Sequence, residues 1–98
     1  MEKHLEARLK FEIRQEGGEA FKFVCPGMRG APDRIVIVAG RLWFVETKTD
    51  VGSLSPLQRA FHKLLNRLGF PVHVVKNIDQ LNTFLNEVRT ARIPGPRD

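Results

Sequence analysis

Residues 34–48, RIVIVAGRLWFVETK, constrain the fold of this 98-residue chain more than any other segment. Two runs rich in β-branched and aromatic residues flank Ala39-Gly40, the pattern of two strands joined by a tight turn. Taken as a two-residue loop, Ala39-Gly40 sets Val38 opposite Arg41. Counting back along the ladder then sets Asp33 opposite Glu46. Asn-Gly would fix such a turn better than Ala-Gly, because both loop positions need positive φ.

The rest of the chain surrounds this hairpin. Leu5, Leu9 and Ile13 recur every four residues and predict a helix over 2–16, closed by Gly17 and Gly18. Residues 20–25 alternate Phe21, Phe23 and Cys25 with Lys22 and Val24, which predicts a strand. PGMRGAP, residues 26–32, is a loop. Ser55 caps a helix with Pro56 at its first position and Gln58 completing a capping box. Its apolar face is expected to hold Leu57, Phe61, Leu64, Leu65 and Leu68, with Gly69 as the stop. PVHVVK is a further strand, and Asn77 caps a last helix that buries Ile78, Leu81, Leu85 and Val88. The expected order is α-β-β-β-α-β-α in a single domain over 1–92, with a frayed tail at 93–98. A strand–helix–strand crossover makes the last strand parallel to 41–48, and the first three strands form an antiparallel meander. The fold class is α/β, a mixed sheet flanked by helices.

The hairpin is apolar yet ends in charge. Glu46 and Lys48 share a strand face with Leu42 and Phe44, and the register brings Asp33 opposite Glu46. Opposed carboxylates about 5 Å apart repel unless something positive lies between them. A divalent cation resolves the conflict, since Mg²⁺ is held by one or two carboxylates plus waters and phosphate oxygens. A metal so held activates water and neutralises phosphate, and a lysine beside it orients or deprotonates that water. This is a composition suited to phosphodiester hydrolysis. The competing reading of each residue alone is structural: an exposed ion pair for Glu46 and Lys48, a strand-starting turn for Asp33.

Composition narrows the partners. Sixteen Lys+Arg against eleven Asp+Glu give a net charge of +5, which favours polyanions such as nucleic acid. No apolar run approaches the ~18 residues of a membrane span, and MEKHLEARLK does not read as a signal peptide. Cys25 is the single cysteine, so no internal disulfide forms and a cytoplasmic location is expected, a host's cytoplasm for a viral protein.

Gly30-Ala31-Pro32-Asp33 followed by Glu46-Thr47-Lys48 resembles the PD-(D/E)xK nuclease signature. The resemblance is to its virus-type replication–repair branch, the VRR-NUC domain, which carries a helix glutamate (here Glu6) and an early glutamine on the following helix (here Gln58). It covers most of the chain. It implies a restriction-endonuclease-like fold and Mg²⁺- or Mn²⁺-dependent endonuclease activity on DNA. Substrates would be branched, such as four-way (Holliday) junctions, in replication, recombination or repair. By this resemblance Asp33, Glu46 and the Thr47 carbonyl hold the metal and Lys48 serves the water. Glu6 reaches the metal or its waters, and Gln58 sits near the substrate phosphate or Lys48. Stand-alone members of this size imply a homodimer, and symmetric cutting of two strands needs two chains. The helix bearing Phe11 and the strand 21–25 are the candidate interface.

Arg29, Arg59, Lys63 and Arg67 are candidate DNA contacts; a solvated basic face is the bland alternative. His62 and His73 read as boundary residues with no metal-ligand spacing, His4 as terminal and Cys25 as core. Trp43 is placed under a helix, with base stacking as the other option. The alternatives to a junction endonuclease are a non-catalytic basic DNA-binding module and a nuclease of flap, nicking or exonuclease type.

Overall fold

The computed structural model describes residues 2–49 and 51–91, with side chains from His4 onward; the expected tail at 93–98 lies outside the described residues. The elements are α1 (Glu2–Gln15), β1 (Glu19–Lys22), β2 (Arg34–Val38), β3 (Arg41–Thr47), α2 (Pro56–Arg67), β4 (Val72–Val75) and α3 (Ile78–Ala91). The order is the one expected from the sequence. The sheet runs β1-β2-β3-β4, antiparallel except for β3 and β4, which are parallel.

The hairpin register is also the expected one: Val38 pairs with Arg41 and Arg34 with Val45. Ala39 sits at φ 50° and Gly40 at φ 80°, so the loop has the two positive φ values of a I′ turn. Alanine holds the first of them against the Cβ clash that normally reserves such positions for Gly or Asn.

Strand alternation sends the two sheet faces to different helices. Val36, Val38, Trp43, Val45 and Val75 join Leu5, Leu9 and Ile13 of α1 and Leu81, Phe84, Leu85 and Val88 of α3 in one continuous core. Trp43 meets Phe84 edge-on, ring centroids 6.3 Å apart, and is too enclosed to stack on a base. Arg89 ties the outer surfaces of α3 and α1 through Glu16 and Glu12.

The opposite face receives α2. Phe23 contacts Phe44 and Phe61, and Phe44 contacts Phe70. Ser55 and Gln58 form the expected capping box behind Pro56. Of the five residues expected on the α2 apolar face, Phe61 is buried and Leu64 and Leu65 are half-buried, whereas Leu57 and Leu68 are largely exposed. That helix turns a narrower stripe inward because its inward positions include Gln58 and His62. Ile78 is likewise exposed and Phe84 takes the inward place. β1 is shorter than expected, and beyond it only Phe23 N–H to Asp33 C=O continues the ladder, at 2.9 Å.

Candidate active site

The candidate residues gather at the end of β3, where the loop before β2, the β3 C-terminus and the first turns of α2 meet. Asp33 immediately precedes β2, opposite Glu46 in the ladder. It is not the partnerless acid that the ladder alone implied. Its Oδ2 accepts from the Thr47 main-chain N–H at 2.8 Å and from the Thr47 hydroxyl at 2.7 Å. Both bonds use one carboxylate oxygen, and they anchor Asp33 to the strand that carries Glu46.

Glu46 is 2% exposed. A carboxylate this deep needs donors around it, and α2 brings them: Gln58 Nε2 donates to Glu46 Oε2 at 3.3 Å. The same side chain's Oε1 accepts from the Ser55 N–H at 2.9 Å. Gln58 therefore both caps its helix and reaches the site. His62, one turn further on, points Nε2 at Glu46 Oε1 across 3.9 Å. Burial, and then the positive charge of Lys48, push the His62 pKa down, so Lys48 belongs to this cluster as well. The Lys48 main-chain N–H donates to Val75 C=O at 2.9 Å, which holds the end of β3 against β4.

Glu6 arrives from α1 on the other side of Thr47. Its Oε1 accepts from Arg34 Nη2 at 2.9 Å, and its Oε2 lies 3.4 Å from the Thr47 hydroxyl. Thr47 has one hydroxyl hydrogen, and the much shorter contact assigns it to Asp33. Glu6 is thus primarily the partner of Arg34, whose other arm donates to Ala20 C=O at 3.3 Å.

The Gly-x-Pro-Asp element has a steric cause. Gly30 is at φ 91°, and a Cβ there would run into the backbone of Leu57 and Gln58. Only glycine lets the loop rest on the start of α2. Pro32 is fully buried beside it. Loop and helix start are thereby locked together, and Asp33 and Gln58 with them.

Arg29, Arg59, Lys63 and Arg67 are all exposed. Arg59 Nη1 donates to Leu54 C=O at 2.7 Å and so braces the approach to α2. Arg34 and His62 are the neighbours of the site that sequence reasoning missed. Alternation along β2 puts Arg34 on the core face with Val36, where an arginine needs an acid. The four-residue spacing from Gln58 puts His62 on the same side of α2.

Among the described residues no group of three His, Cys, Asp or Glu side chains stands ready to hold a metal ion. Two carboxylates in register, supplemented by a main-chain carbonyl, nevertheless offer the hard oxygen donors that Mg²⁺ accepts alongside water. The donor set fits such an ion.

A mixed sheet with an aspartate, a buried glutamate and a lysine at the end of its central hairpin defines the α/β nucleases of PD-(D/E)xK type. The chain is 42% identical over 79 residues to "Putative nuclease p44" of Acyrthosiphon pisum secondary endosymbiont phage 1, covering 80% of this chain and 85% of that protein. A solved structure described as "VRR_NUC domain" superposes with a TM-score of 0.81 at 30% identity, over 87% of this chain and 94% of the other. No protein-family model matches the chain. The chain belongs to the VRR_NUC family of nucleases.

Proposed function

We propose that this nuclease is a divalent-metal-dependent endonuclease that cuts branched DNA, four-way junctions foremost, as a two-fold homodimer in replication, recombination or repair. One observation carries the reading: the β2–β3 register and Thr47 bring Asp33, Glu46 and Lys48 to a single strand end. Asp33, Glu46 and the Thr47 main-chain carbonyl would hold Mg²⁺ or Mn²⁺, which supplies water activation and charge neutralisation. Asp33 keeps its geometry through the two Thr47 bonds, and Glu46 through Gln58. Lys48 orients the attacking water and steadies the charge that grows on the phosphate. Glu6 acts at one remove, fixing Arg34 and the Thr47 side of the site. The net charge of +5 and the exposed Arg29, Lys63 and Arg67 supply phosphate attraction that reads backbone shape more than base sequence. The lone Cys25 suits a reducing cytoplasm.

The test offers labelled four-way junction, flap and linear duplex to the purified chain with Mg²⁺, Mn²⁺ or EDTA. Paired, symmetric junction cuts are expected, abolished by EDTA and by Asp33→Ala, Glu46→Ala or Lys48→Ala. Wild-type rates in all three variants would remove the site assignment. A strict monomer by light scattering, also on junction DNA, would replace paired cutting with nicking or flap cleavage.

A further inference from the structure

Resting on that reading of the site, we propose that His62 is a positioning residue for the metal-binding carboxylate: with Gln58 it forms a two-armed clamp that fixes Glu46 from one face of α2. The arms are four residues apart, so they leave the helix on the same side. Gln58 takes one carboxylate oxygen, Oε2, at 3.3 Å. His62 Nε2 faces the other, Oε1, at 3.9 Å. That gap is longer than a hydrogen bond, and a shift of less than about 1 Å by either side chain closes it. The His62 side chain is only 12% exposed, and its Nε2 is enclosed without a hydrogen bond among the described residues. An imidazole N–H in that position has Glu46 in front of it.

The helix that carries both arms is a rigid platform. Its N-terminus is set by the Ser55–Gln58 capping box and by the Gly30 loop seated on Leu57. Phe61, between the two arms in sequence, is only 6% exposed and packs on Phe23. Carboxylates that ligate metals are themselves held by neighbouring donors, and losing one such donor weakens metal binding or activity by about 10–100-fold. The clamp therefore predicts an effect on metal affinity that a packing role would not have.

The experiment measures free Mn²⁺ by electron paramagnetic resonance during titration of the full chain, with melting in EDTA alongside. His62→Phe, which keeps bulk and loses the donor, is expected to weaken Mn²⁺ binding about 10–100-fold while the melting temperature in EDTA holds. His62→Gln, which returns an N–H at similar reach, is expected to recover most of that loss. Should the phenylalanine variant not fold, His62→Leu takes its place. Wild-type Mn²⁺ binding in the donor-free variant, with binding lost in Glu46→Ala, overturns the clamp alone; so does a His62→Gln no better than His62→Phe. Wild-type binding in Glu46→Ala overturns the reading of the site and the clamp with it.

Discussion

The two faces of the sheet are built to different standards. Beneath α1 and α3 the side chains are aliphatic and sealed: Leu9, Ile13, Val36, Val45 and Val88 are 0% exposed. Beneath α2 the contacts are aromatic, tilted or edge-on, and Glu46, Gln58 and His62 lie among them. A strand alternates sides at every residue, so neighbours such as Val45 and Glu46 can serve cohesion and chemistry separately. The difference teaches that a small domain can carry a buried charge if a dry core on the other side of the same sheet supplies its stability.

Four experiments probe that division, beginning with the largest effects. Exchanging damage between the faces is the strongest. Leu9→Ala is expected to cost about 2–5 kcal/mol of stability while the molecules still folded cleave normally. Glu46→Ala is expected to lose cleavage about 10³-fold while apo stability changes little. Melting curves and single-turnover rates on both proteins check this, and a Glu46→Ala protein as unstable as Leu9→Ala would erase the division. Asp33 tests the border between chemistry and structure. Asp33→Ala forfeits two hydrogen bonds from Thr47 and is expected to cost about 1–3 kcal/mol in EDTA. Asp33→Asn keeps a carbonyl to accept them and is expected to lose less, although it too loses cleavage. Equal stability of the two variants would show that the Thr47 bonds contribute nothing.

The hairpin turn belongs to neither face. Ala39→Asn relieves an alanine at φ 50° and is expected to raise stability by about 1 kcal/mol with cleavage unchanged; a drop in melting temperature would contradict the I′ geometry. The smallest effect is pH. Each face holds one histidine whose pKa is lowered, chiefly by burial: His62 under α2, and His73 against Phe84 and Glu87. A folded pKa below the ordinary 6.5 means that the unfolded chain binds the proton more readily. The stability is complete above 6.5 and is lost as pH falls through the lowered folded values. Melting in EDTA between pH 7.5 and 5 should show this slope, and His73→Gln should flatten it.

The element order, the sheet topology and the register at Asp33 and Glu46 were all legible in the sequence. The reason is that hydrophobic period, Gly and Pro placement and turn length are local signals. What escaped was the identity of partners across elements. The spacing of Leu57 and Leu68 matched the apolar stripe of α2, but how deep a helix sits depends on what it covers. The resemblance gave Thr47 a role through its carbonyl alone, and its two hydrogen bonds to Asp33 depend on a carboxylate turning toward the strand end. Glu6 was singled out by the family resemblance, but its partner Arg34 lies 28 residues away. His62 has no metal-ligand spacing to another histidine, and its signal is the four-residue spacing from Gln58 that puts both on one side of α2.

The seat of Gly30 on the start of α2 has a bearing on how the chain comes into being. The β2–β3 hairpin can close by itself, because its strands are adjacent and its turn is two residues long. Gly30 and Leu57 meet only after the intervening chain has been made and α2 has swung onto the sheet, and longer loops close at greater entropic cost. Until then Asp33 and Glu46 stand without the helix that orders them. A nascent or half-folded copy is therefore a blunt tool, and cutting power is acquired together with the finished shape. For a nuclease, that delay amounts to a built-in safety.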